Sequence, residues 1–217
     1  MERQVGAGLL LAQPAVIVAE LVVAARWRGD YSHARNTISD LGAVNCGTIR
    51  AAYGPVEVCS PWHPLMNTTF VLIGIALALG ALAVRGLGPS LARRPAMILL
   101  FVAGVSSAGV GLVPLDVDAG LHTLVATPLF VTQPLALLLV GSSLWRTRRA
   151  FAVVLLSAGT LAAGGGLAFA ATLMTGDVGG LYERIALWPC HLGIAVIGLA
   201  VLRPRRVAPS PLREWSS

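Results

Sequence analysis

The chain has 217 residues, of which 56% are hydrophobic and only 12% charged, with a mean hydropathy of +0.76. A soluble domain carries about a quarter charged residues, so an ordinary soluble fold is excluded. The net charge of +6 comes from 16 arginines and no lysine, and their placement between apolar runs marks a membrane face and excludes nucleic acid as the partner.

Six runs meet the criterion of about 17 to 25 predominantly apolar residues: 7–25, 64–84, 95–115, 121–144, 150–173 and 185–202. Backbone in hydrocarbon must satisfy its own hydrogen bonds. The expected fold is therefore all-α, a polytopic six-helix transmembrane bundle with one long extracytoplasmic loop. Residues 1–206 form the transmembrane domain and 207–217 a cytoplasmic tail.

The first run ends in Val23-Ala24-Ala25, small residues of the kind found at a signal-peptide cleavage site. It is also long, carries Gln13-Pro14 in its middle and reaches Glu20 before that point, so it reads as a retained span. Gln13-Pro14 predicts a kink, with the freed polar groups met by a neighbouring helix. Gly104, Gly109 and Gly111 in the third span, and Gly159, Gly164, Gly165 and Gly166 in the fifth, predict close helix packing. Pro128 and Pro134 predict bends in the fourth.

The interval between the first two spans, residues 26–63, is about 38 residues long, more than a passive connector needs. It holds Asn36-Thr37-Ile38-Ser39-Asp40-Leu41-Gly42 and ends in Ser60-Pro61-Trp62-His63-Pro64. Cys46 and Cys59 share it, and in an oxidising compartment they are expected to pair and pin the loop over the bundle. Cys190 remains as a small buried residue.

Orientation follows from the arginines. Eleven fall before span one, between spans two and three, between spans four and five, or after span six; five fall on the other side. The positive-inside rule puts both termini in the cytoplasm. All four histidines then lie at or just within the extracytoplasmic ends of spans or in the loop there.

Spacing adds to this. His63 and Asn67 are i and i+4, as are Asp118 and His122, so each pair shares a helix face. Asp118 is also an N-cap candidate. Glu183 and Leu187 lead along one stripe to His191. Each has a plainer reading: a cap for Asp118, a loop carbonyl for His63, headgroups for Glu183 and Arg184. Taken together, Asn36, Ser39, Asp40, His63, Asn67, Asp116, Arg184 and His191 are expected around one outer-leaflet pocket with the Ile38-Ser39-Asp40-Leu41-Gly42 loop as its lid. Ser60, Asp118, His122 and Glu183 are the catalytic candidates. His63, Asp118 and His122 are the candidate ligands of a divalent metal, since histidine and carboxylate suit zinc with an open position for water. No C-x-x-C, G-x-S-x-G, H-E-x-x-H or Walker loop is present.

The N-T-I-S-D-L-G loop, the S-P-x-H-x-x-M-N segment at residues 60–67, the G-x-x-P-x-D segment at 111–116 and Glu183-Arg184 resemble a bacterial family of integral membrane proteins, the domain of unknown function nine-nine-eight. The I-S-D-x-G loop is distantly similar to one in the DRAM/Frag/Sfk-type six-span proteins linked to lipid remodelling. The resemblance implies a six-span protein of a bacterial plasma membrane and transfers no activity. A lipid-binding or scaffold role in the cell envelope is the expected function, with membrane lipids and another membrane protein as partners. A metal-dependent intramembrane hydrolase and a small transporter are the alternatives.

Overall fold

A computed structural model describes residues 2–51, 54–84, 93–172 and 178–203. The expected tail at 207–217 lies outside the described residues. Six helical segments are long and apolar enough to cross a membrane: Glu2–Ala24, His63–Val84, Arg94–Leu112, Ala119–Leu144, Arg149–Thr172 and Gly179–Leu202. The protein is a multi-pass membrane protein of all-α class.

The first span is two helices, α1 (Glu2–Leu11) and α2 (Ala15–Ala24), broken at Gln13-Pro14. Proline lacks the N–H that would continue the ladder. The Gln13 amide sits in the gap and donates to the Ile73 carbonyl at 3.1 Å, so a neighbouring helix does satisfy it. The other spans are α3 (His63–Val84), α4 (Arg93–Leu112), α5 (Ala119–Leu144), α6 (Arg149–Thr172) and α7 (Gly179–Leu202). Each packs on its neighbour in chain order, and α1 closes the ring by lying against both α3 and α7.

Small residues set the closest approach, because lipid gives helices no hydrophobic reason to associate and close packing must replace it. A Cβ on Gly74 would stand 2.6 Å from the Gly104 carbonyl oxygen and 2.5 Å from the Ala108 nitrogen, so α3 and α4 touch backbone to backbone there. Gly165 meets α7 in the same way, 2.6 Å from the Ala186 nitrogen. Gly164, expected in that surface, faces nothing within 4 Å, and Gly166 meets Phe130 only at ordinary contact distance. The fifth span's glycines are thus split between a packed face and an open one.

The loop contains an antiparallel hairpin that hydrophobic periodicity did not reveal: β1 (Gly47–Ala51) pairs with β2 (Gly54–Val58), Gly47 opposite Val58. Its strands are mostly exposed and only five residues each, too short to leave a strong alternation. The Cys46–Cys59 disulfide closes its base. Asp116, between α4 and α5, fastens the preceding turn: its carboxylate accepts the Val44 N–H at 2.9 Å, and the Asn45 N–H and side-chain amide at 2.8 and 2.9 Å.

Burial pushes the Asp116 carboxyl upward, but those donors outweigh it and hold the group below its usual 3.8. A depressed carboxylate stabilises the folded protein above its unfolded pKa and loses that contribution as pH falls through the folded value. The melting-temperature difference between wild type and Asp116→Ala should therefore be constant above about pH 5 and shrink below about pH 4. A difference that does not change between pH 6 and pH 2 contradicts this role.

Candidate functional site

The site starts from Arg184, which the sequence analysis placed ahead of the last span. The helix begins earlier, at Gly179, so Glu183 and Arg184 lie inside it and are 3% and 6% exposed. An ionised group there must find its partners within the protein. Arg184 finds them from every nitrogen. Nε donates to Glu20 Oε1 at 2.7 Å. One terminal nitrogen donates to the carbonyls of His33, Asn36 and Gly180 at 2.7, 2.7 and 2.8 Å. The other donates to the Tyr31 hydroxyl at 2.5 Å. The second Glu20 oxygen accepts the Trp188 indole N–H at 2.7 Å. Burial pushes the Tyr31 phenol far above its usual value, partly offset by the Arg184 cation.

These contacts dock the loop onto α7. The first turn of any helix has unsatisfied N–H groups, and here Gly180 and Leu181 donate theirs to the Arg35 and Ala34 carbonyls at 3.2 and 2.9 Å. A side chain on Gly180 would run into the Asn36 carbonyl, so glycine permits the approach. Glu183 completes the docking by accepting the Ile38 N–H. Within the loop, Asp40 accepts the Thr37 N–H at 2.8 Å and the Asn36 amide at 3.4 Å, while the Asp40 N–H donates to the Thr37 hydroxyl at 3.1 Å.

So held, the short 3-10 turn Ser39–Gly42 presents Ser39 to α5. Ser39 Oγ lies 3.0 Å from His122 Nε2, and His122 Nδ1 lies 2.6 Å from the Val113 carbonyl. A carbonyl only accepts, so Nδ1 carries the proton and the neutral ring's Nε2 accepts from the serine hydroxyl. Ser39 Oγ is also 3.4 Å from Glu183 Oε1.

Ser39, His122 and Glu183 line the polar end of a cavity of about 450 Å³ between α5 and α6. Its walls are mostly apolar, among them Ala126, Phe130, Leu135, Ala163 and Leu167, with Thr123 and Thr127 on the α5 side, and it is open along one side, where Leu135 and Leu167 are 45% and 76% exposed. Phe130 and Phe169 stack inside it with ring centroids 5.2 Å apart. From His122 to Leu135 is about 20 Å of helix at 1.5 Å per residue.

The expected pocket is only partly assembled. Ser39, His122 and Glu183 meet, and Asn36, Asp40 and Arg184 support them from the loop and α7. His63 turns back on the Ser60 carbonyl at 2.9 Å, and Asn67 donates to the Gly42 carbonyl at 2.9 Å. Asp118 caps α5, accepting the Leu121 N–H at 2.9 Å. Ser60, a catalytic candidate, donates to the Leu41 carbonyl at 2.7 Å. His191 lies deeper, 3.3 Å from the Gln13 amide oxygen. The expected metal triad of His63, Asp118 and His122 is not gathered. Among the described residues no three histidine, cysteine, aspartate or glutamate side chains converge closely enough to hold a metal ion, because each is engaged by a separate backbone group. Glu20, Tyr31 and Trp188 were missed altogether. The signal for Glu20 was present: an acidic residue within an apolar span requires a partner.

Residues 10–200 match the family model described as Protein of unknown function (DUF998). The chain belongs to this family. No curated protein and no solved structure matches it. Family membership assigns no activity, which is left to be argued from the site.

Removing one partner of a buried ion pair strands the other and costs about 3–5 kcal/mol, whereas replacing both by apolar groups costs far less. Glu20→Leu and Arg184→Leu should each lower stability in detergent by about that amount, and the double substitution by clearly less than their sum. Arg184→Lys should not rescue, since an ammonium cannot span the fork of acceptors. Additive losses in the denaturation midpoints would show the two side chains to be uncoupled.

Proposed function

We propose that this is a lipid-binding protein of a bacterial plasma membrane. It holds one acyl chain in the cavity between α5 and α6, with the lipid's polar group at Ser39, His122 and Glu183. The observation that supports this is the cavity itself, which runs along about 20 Å of helix between mostly apolar walls and gathers Ser39, His122 and Glu183 at the end under the loop. That length covers more than half of a hydrocarbon core about 30 Å thick. Burial alone gives a lipid chain no preference for this cavity, because the surrounding bilayer is equally apolar. Selectivity must come from the polar end and the shape of the walls. The arginine distribution supports cytoplasmic termini, which put the polar end at the outer leaflet.

Two measurements test this reading. Native mass spectrometry of the detergent-solubilised protein should find one retained lipid per chain. Ala126→Phe should lower its occupancy about tenfold or more, given the roughly 1–3 kcal/mol cost of overfilling a packed space. Leu124→Phe, at a position 69% exposed on the outside of the same helix, should leave occupancy unchanged. Equal retention by all three proteins would sink the reading. For topology, single cysteines at Asn45 and Thr147 should react with impermeant reagents from opposite sides; reaction from the same side would overturn the orientation.

A further inference from the structure

We propose that Ser39 is a nucleophile, with His122 as its general base, in an ester-hydrolysing site that acts on the acyl lipid held in the cavity. The inference rests on the lipid-binding reading and adds chemistry to it.

Four features carry it. The hydroxyl and the imidazole are 3.0 Å apart, within the reach a nucleophile–base pair requires. His122 is set in the needed tautomer by a third group, the Val113 carbonyl at 2.6 Å from Nδ1, which leaves Nε2 free to accept. The two residues come from segments 83 positions apart and are brought together by the Arg184-centred docking of the loop. Finally, both line the end of the apolar cavity together with Glu183. A serine–histidine bond serving only to fix the loop has no need to face a cavity. Ser39 is only half-buried, whereas Ser60 is buried with its hydroxyl committed to a backbone carbonyl.

The chemistry is acyl transfer to water. Ser39 Oγ forms a bond to the ester carbonyl carbon as its proton passes to His122 Nε2. The bond from that carbon to the alcohol oxygen then breaks, and Nε2–H returns the proton to the leaving alcohol. A water molecule next attacks the acyl-serine, giving its proton to Nε2. The carbon–Oγ bond breaks and Ser39 regains its proton from the ring. The net reaction consumes one ester and one water and yields a fatty acid and an alcohol. The Glu183 carboxyl lies 3.4 Å from Ser39 Oγ, at the same end of the cavity.

The test uses the full chain in detergent micelles and a hexadecyl fluorophosphonate, whose phosphorus is attacked by an activated serine with loss of fluoride. The expected result is one phosphonyl adduct per chain, placed on Ser39 by peptide mass spectrometry. His122→Asn should label about 100-fold more slowly or worse, the usual contribution of a general base. Ser39→Ala should remove the adduct. Mapping the wild-type adduct needs no variant to fold, so the proposal stays exposed even if a substitution destabilises the loop. No adduct on wild-type Ser39, or labelling of His122→Asn at the wild-type rate, overturns it. Retained lipid in native spectra without labelling would defeat the nucleophile and spare the lipid-binding reading; loss of both would defeat the two together.

Discussion

A guanidinium buried at the loop end of a membrane helix has five N–H groups to satisfy and no bulk water to satisfy them. That requirement organises this protein. Arg184 reaches Glu20 on α2, the Tyr31 hydroxyl, and the carbonyls of His33, Asn36 and Gly180. One side chain thus joins the first span, the loop and the last span. A buried ion pair is weak evidence of net stability, since desolvation offsets much of the attraction. It is stronger evidence of geometry, because only one arrangement of the loop backbone supplies all the acceptors at once.

The rest of the loop-bearing face follows from that arrangement. With residues 33–36 held by Arg184 and the first turn of α7, Glu183 takes the Ile38 N–H and Asp40 closes the turn through Thr37. Ser39 is then left pointing toward His122 rather than into solvent. Asp116 and the Cys46–Cys59 disulfide hold the more distal part of the loop, where the hairpin stands. These anchors act on different segments of the loop.

Below the pair, the membrane supplies the other half of the site. Small residues on α5 and α6, Ala126, Ala163, Gly166 and Ala170, line the space between the two helices. Elsewhere the same helices close up: a side chain on Gly159 would meet the Pro134 carbonyl at 3.1 Å. Packing density is therefore uneven along one helix pair, tight at mid-depth and open toward the polar end. A polar cluster beside a mostly apolar slot is the arrangement on which the proposed lipid binding rests.

Much of this was legible in the chain itself. Six long apolar runs require helices, because hydrocarbon tolerates no unpaired backbone, and two cysteines in one polar loop point to a disulfide. Asp118 as a cap and the break at Gln13-Pro14 are local effects, determined by residues within a turn of one another. Contacts between distant residues were not legible. The i and i+4 spacing suggested one face for Asp118 and His122, but Asp118 is the extended N-cap ahead of α5 and accepts from Leu121, while His122 turns to Ser39, 83 positions away. Glu20 read as an acid inside an apolar run and Arg184 as a headgroup charge; only their meeting across 164 residues makes them a buried pair. Sequence determines which segments must be helical and which groups need partners, since those costs are local. The choice of partner depends on how the spans close into a ring, and tertiary structure alone decided it.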